Sequence, residues 1–231
     1  MLRGSALLAS VLALVIGAVA CAGGDPSWPV TAARAAPPSG TLSAGPGGLV
    51  LTVATGSKAV VRVREQLAIL TSPSDAVLTS DAVTGRVAVR RDGTFVAGSK
   101  ITVALDDLRS DNGQRDRYVK EQTLQTRLHP FAEFVPSRAT GLSLPLRTDG
   151  EVTFKLTGTL TLHGVSKEVS FNVTASRTPR APREVNVIAR NDPAWKFADF
   201  GLEIPRVFSV LSVVDELRLE VQLIATEGQG T

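Results

Sequence analysis

The sequence predicts an all-β domain, an antiparallel sandwich or barrel, interrupted by one helical excursion near residues 112–124. Three observations carry that expectation. Apolar and polar residues alternate with period two in segment after segment, the signature of a strand with one buried and one wet face. The segments are short and separated by turn residues, as in "RRDG" after Val89. One internal stretch alone, "SDNGQRDRYVKEQTLQTRLHPFAEF", lacks any such period.

In chain order, Leu49, Leu51 and Val53 alternate first, followed by Val61, Val63 and Leu67 with arginines between them. Val87 and Val89 lie among Arg86, Arg90 and Arg91, and Ile101, Val103 and Leu105 follow. In the aperiodic stretch, Asp111 with Gln114 three residues on resembles a capping box, which predicts a helix over Arg115–Thr123. Tyr118, Val119 and Leu124 would share one face of it, and Pro130 marks a stop. The longest signal is "FKLTGTLTLHGVSKEVSFNV", a β-hairpin. Val152, Phe154, Leu156, Leu160 and Leu162 fall on one side against Thr153, Lys155, Thr157, Thr159 and Thr161, and the alternation resumes with Val169, Phe171 and Val173. Gly158 interrupts the apolar side where a Leu would fit, so either a ligand, another backbone or a bend comes close there. If that side faces open space, Gly158→Leu should preserve or raise stability. Val185, Val187 and Ala189, then Leu217, Leu219, Val221 and Leu223, complete the strands.

Ahead of the strands, Arg3 precedes a small or apolar run from Ala6 to Ala20, which reads as a secretory signal over 1–20. The run is shorter than the roughly 20 apolar residues a spanning helix needs. The single cysteine of the chain, Cys21, follows "AVA" and rules out an intrachain disulfide. This segment resembles a bacterial lipobox, which implies diacylglycerol on Cys21, a membrane anchor and export to the cell envelope. Residues 21–48, rich in Ala, Gly, Pro and Ser, read as a linker that would average about 30 Å end to end as a coil. Residues 49–227 then form one ordinary domain, large enough for its own core.

Composition excludes several functions. Net charge is +3, and loss of Arg3 with the signal lowers it by one, so no nucleic-acid surface is indicated. The two histidines, His129 and His163, stand far apart in sequence, and no G-x-S-x-G elbow is present. Neither a nucleophile set, a zinc or haem site, nor the spacing of a calcium loop is visible, the acidic cluster Asp106, Asp107, Asp111 and Asp116 included. The expectation is a non-enzyme without metal or cofactor.

Three blocks carry a more specific resemblance. "ITVALDDLRSDNGQRDRYVKEQTLQTRLHPFAEF", "GTLTLHGVSKEVSF" and "WKFADFGLEIPRVFSVLSVVDELRLEVQL" occur in the order found in the YceI-like family of lipocalin-like, polyisoprenoid-binding barrels, and the chain resembles that family over most of residues 49–225. The resemblance implies an eight-stranded antiparallel barrel around an elongated apolar cavity. It places candidate wall positions at Leu105, Tyr118, Leu124, Leu128, Phe131, Phe134, Phe154, Leu156, Gly158, Phe171, Phe197, Phe200 and Phe208. Arg115, Asp116 and Asp199 match its polar motif positions, as an ion-pair clamp between helix and barrel or as head-group contacts. The implied ligand is a non-covalent isoprenoid lipid, and a homodimer is left open. The competing expectation is a filled barrel acting as an adhesive or scaffolding module without ligand.

Overall fold

The structure is a computed structural model, and it describes residues 42–178, 181–208 and 210–228. The signal, Cys21 and most of the linker lie outside the described residues. Among the described residues, eleven β segments make one continuous antiparallel sheet. They are β1 (Leu49–Val53), β2 (Lys58–Leu67), β3 (Ser74–Ser80), β4 (Val83–Val89), β5 (Lys100–Ala104) and β6 (Phe131–Thr140). β7 (Glu151–Leu162), β8 (Val165–Thr178), β9 (Ala181–Asn191), β10 (Val210–Val213) and β11 (Arg218–Glu227) follow.

Register shows how eleven segments close as eight strands. β1 and β2 lie end to end along one edge of β11, with Val53 opposite Ala225 and Lys58 opposite Gln222. β3 and β4 form the next strand in the same way, paired to β2 and β1. Each kink is held by a buried serine. Ser57 Oγ donates to the Ala54 carbonyl at 2.8 Å and accepts from the Ile224 amide at 3.0 Å. Ser80 Oγ donates to the Ala104 carbonyl at 2.9 Å. Such bonds satisfy backbone groups that the interrupted ladder leaves open. β10 is an extra strand on the edge of β2 that β11 has vacated, with Val210 opposite Leu67.

The β7–β8 hairpin pairs Glu151 with Ser176 through to Leu162 with Val165, and turns on His163 and Gly164. Both turn residues have positive φ, 51° and 76°, the conformation of a two-residue type I′ connection. Its wet face carries hydroxyl pairs, Thr157 with Ser170 at 3.2 Å and Thr161 with Ser166 at 2.8 Å.

The helical excursion differs from the sequence expectation in its start and in its pitch. The N-cap is Asn112, not Asp111: Asn112 Oδ1 accepts from the amides of Gln114 at 2.9 Å and Arg115 at 3.1 Å. α1 covers Gly113–Tyr118, and Val119–Thr123 then widens to a π-helical turn. The bonds of its exit, from the amides of Leu124 to Val119 O at 2.8 Å and of Thr126 to Lys120 O at 2.9 Å, span more residues than an α-turn.

Two ends of the barrel differ. One carries the β2–β3 hairpin tip, the helical excursion, the His163–Gly164 turn and the crossing from β9 to β11. The other carries the described N-terminus and the loops after β4 and β6. This second end is a solid floor: Leu49, Val89, Leu146, Ala175 and Val185 pack with Leu142, Leu144, Val152 and Phe154. An Arg177–Glu227 ion pair lies at the same end, and Arg177 Nε also donates to the Leu146 carbonyl at 3.2 Å. Residues 42–48, counted with the linker in the sequence, are folded: Leu42 and Ala44 pack with Val50, Ala88 and Val96 outside the barrel.

Candidate ligand-binding cavity

The half of the barrel above that floor is not filled by side chains. It encloses a cavity of about 620 Å³. Alternation explains its wall. β2 presents Ala59, Val61, Val63, Glu65 and Leu67 at every second position, with Ile69 in the turn after it, and β11 presents Leu219, Val221 and Leu223, with Leu217 just ahead of it. Leu156, Leu160 and Leu162 of β7, Phe171 of β8, and Val187 and Ala189 of β9 continue the surface. Tyr118, Val119 and Leu124 close it from the helical excursion, so the one apolar face expected of that segment does turn inward.

An aromatic run stands along one side. Phe134 meets Phe171 edge-on at 5.2 Å, Phe171 meets Trp195 at 5.4 Å, and Trp195 tilts against Phe200 at 5.5 Å. Trp195 is held by paired backbone bonds to Leu217, at 3.1 and 2.7 Å. Sequence reasoning passed over Trp195; its signal was the Trp standing just beyond the Val185, Val187, Ala189 alternation.

Glu65 was also missed, although it continues the period of Val61 and Val63 and so places a charge on an apolar face. It is the inward-facing carboxylate of β2, with its side chain 8 % exposed. Arg115 Nη2 donates to Glu65 Oε1 at 2.7 Å, while Nη1 donates to Asp111 Oδ1 at 2.6 Å. The pair clamps helix to barrel and, with Asn112 and Gln114, gives the cavity its polar corner. The other two motif positions have structural partners elsewhere. Asp116 Oδ1 accepts from Ser110 N at 2.8 Å and Oγ at 2.6 Å, fixing the entry to α1. Asp199 pairs with Lys167 and accepts from the Lys196 amide at 2.9 Å, capping the 3₁₀ turn Phe197–Phe200. Those two bonds, the Lys167 one first, hold the Asp199 carboxyl below the usual carboxylate range.

Of the sequence-derived wall positions, Leu105, Tyr118, Leu124, Phe134, Leu156, Phe171 and Phe197 line the cavity. The others are corrected. Phe131 and Phe134, three apart, cannot share one face of a strand, and it is Ala132 and Phe134 that point inward. Phe154 packs between the cavity's core and the floor cluster. Leu128, 73 % exposed, lies in the turn after the helical segment, and Phe208 is fully exposed. Phe200 is fully buried, behind Trp195. Gly158 faces no open space: a Cβ there would stand 2.4 Å from the Val135 carbonyl oxygen and 2.7 Å from Pro136 Cα. β6 bulges at this point, where the register shifts between Pro136 and Arg138, and crosses over the glycine.

The two histidines, far apart in sequence, meet in space. Their rings contact edge to face with centroids 4.8 Å apart. His129 fits because Gly164 has no side chain; a Cβ there would come within 2.9 Å of the His129 ring. Among the described residues, no group of three or more His, Cys, Asp or Glu side chains converges as a metal site. The acidic cluster has local partners: Asp107 Oδ2 accepts from the amides of Asp81 at 2.8 Å and Ala82 at 3.2 Å.

A closed antiparallel barrel of eight strands, filled at one end and hollow and apolar at the other, defines the lipocalin-like class of cavity barrels. Within that class the chain belongs to the YceI-like domain family, whose model matches residues 54–225. A polyisoprenoid binding domain from Saccharophagus degradans, implicated in plant cell wall breakdown, superposes with a TM-score of 0.57 at 13 % identity, covering 78 % of this chain and 98 % of that one. Burkholderia cenocepacia BcnA gives 0.55 at 16 % identity over 75 % and 99 %. In sequence, a UPF0312 protein of Pseudomonas putida strain W619 is 36 % identical over 100 residues, 39 % of this chain and 48 % of the relative. The chain thus spans about half the length of the curated relatives it matches.

Proposed function

We propose that this protein is a cell-envelope lipoprotein, anchored through an acylated Cys21, that holds a long isoprenoid lipid in its barrel. A polyprenyl chain or an isoprenoid quinone tail suits it, for carriage, storage or sensing. The observation that carries the reading is the hollow upper barrel, about 620 Å³ walled by aliphatic and aromatic side chains. A filled scaffolding barrel has no use for such a space. The likeness in fold to a polyisoprenoid binding domain from Saccharophagus degradans points the same way.

Size sets the ligand's scale. A methylene occupies about the 30 Å³ that a water takes in the liquid, so the cavity of about 620 Å³ holds about 20 carbon atoms, or about four isoprene units. Burying one unit stabilises by roughly 3–4 kcal/mol, and several units are needed to exceed the cost of association. The Glu65–Arg115 corner is the polar feature available to a head group, while the rest of the wall offers shape and apolar contact.

A chain-length series tests this. With prenyl alcohols of increasing length, competition against a bound fluorescent probe should show affinity rising by at least about tenfold per unit up to about four units, then flattening. Equal affinity for one unit and four would contradict a filled-cavity mode of binding.

A further inference from the structure

The rim of the cavity carries apolar side chains that the barrel itself does not bury. Ile69 lines the cavity yet is 88 % exposed, so the cavity reaches the surface there. Leu70 stands beside it on the β2–β3 tip, and the facing segment exposes Ile204, Phe208, Leu211 and Val214. The two segments are joined by the β10–β2 pairing, Val210 opposite Leu67, so they form one lip. Residues 66–74 contain no charged side chain, and 204–214 contain only Arg206. Exposed apolar groups gathered on loop tips, without the charges that normally solvate such tips, mark a contact surface.

We propose that this lip docks onto a lipid bilayer and passes the ligand between membrane and barrel, an inference that rests on the lipid-binding reading. Two observations favour a bilayer over a second copy of the chain. The first is the cavity's capacity. A polyprenyl chain longer than about four units leaves its remainder outside, and the opening at Ile69 leads it over the lip, where acyl chains would cover it. The second is the place where the described chain begins. Leu42 packs at the floor end, opposite the lip, and stands 21 positions beyond Cys21. That length extends to about 70 Å, against about 40 Å for β7, the strand Glu151–Leu162, so an anchored barrel can turn its lip to the membrane. Arg206, exposed on the same segment, would meet lipid phosphate as the apolar tips enter the headgroup boundary.

The test uses the full chain with Cys21→Ser, which removes the acyl anchor, and vesicles of phosphatidylethanolamine and phosphatidylglycerol. A bimane on the thiol of Phe208→Cys should shift to the blue on adding vesicles, and one on Asp149→Cys, in the floor-end loop, should not. Leu70→Ser, Phe208→Ser and Leu211→Ser together should reduce vesicle flotation by about tenfold or more, with the melting temperature unchanged. Farnesol, short enough to fit inside the cavity, should still bind this variant. Absence of vesicle binding by the parent, equal flotation of the triple variant, or a bimane shift that follows protein concentration without vesicles would overturn the docking proposal. The last of these would identify a second copy as the occupant. Vesicle binding by a parent that fails to bind farnesol would overturn the lipid-carrier reading and leave the docking surface standing.

Discussion

Gly158→Leu is expected to destabilise the barrel by about 3 kcal/mol or more, or to prevent folding altogether. The obstacle is backbone rather than a movable side chain. The Val135 carbonyl and Pro136 Cα stand where the new Cβ would go, and Phe134 Cζ lies 2.7 Å from it. Relief requires moving β6 at its bulge, where Ser137 Oγ donates to the Thr157 carbonyl at 3.0 Å and the Ser137 carbonyl accepts from the Phe95 amide at 3.2 Å. For a domain of this size such a loss lowers the melting temperature by about 6–12 °C. Gly158→Ala should already show part of it. A Leu variant that melts with or above the wild type would mean that the glycine faces open space after all.

Arg115→Ala is expected to cost about 3 kcal/mol, read as a lower urea midpoint at unchanged slope. The substitution leaves Glu65, nearly buried on the cavity wall, without its cation, while Asp111, 87 % exposed, is merely returned to water. Arg115 is itself 19 % exposed, which puts the cost at the low end of the range for broken buried pairs. Replacing both partners with apolar residues, Glu65→Leu with Arg115→Leu, should recover most of the loss, because no orphaned charge remains. Equal destabilisation by the single and double variants would show that packing of the arginine stem, not the ion pair, holds the helix.

How far the molecule was legible in its sequence follows from which forces are local. The strands were legible because alternation is written residue by residue: Leu217, Leu219, Val221 and Leu223 face the cavity as their spacing requires. The same rule, applied strictly, separates Phe131 from Phe134 and draws Glu65 onto the wall. Gly158 was ambiguous because its meaning lies in β6, whose bulge is set by Pro136 and by pairing that sequence does not display. The contact of His129 with His163 is likewise a product of closure, since the helical excursion brings one ring over the hairpin turn that carries the other. Asn112 took the cap expected of Asp111 because either residue type suits that role and only the path of the chain decides. Phe208 was expected on the cavity wall, yet it sits on the exposed lip.

The most direct measurement is mass spectrometry of lipid extracted with organic solvent from the purified full chain, beside the variant Ala189→Phe. Ala189 lines the cavity between its paired neighbours Val173 and Val221, so the larger ring enters ligand space. The wild type should release an isoprenoid of about four units or more in near-equal molar amount, and the folded variant should release far less. A wild-type protein free of isoprenoid, or a variant that retains the same load, would contradict the assignment of the cavity as the lipid site.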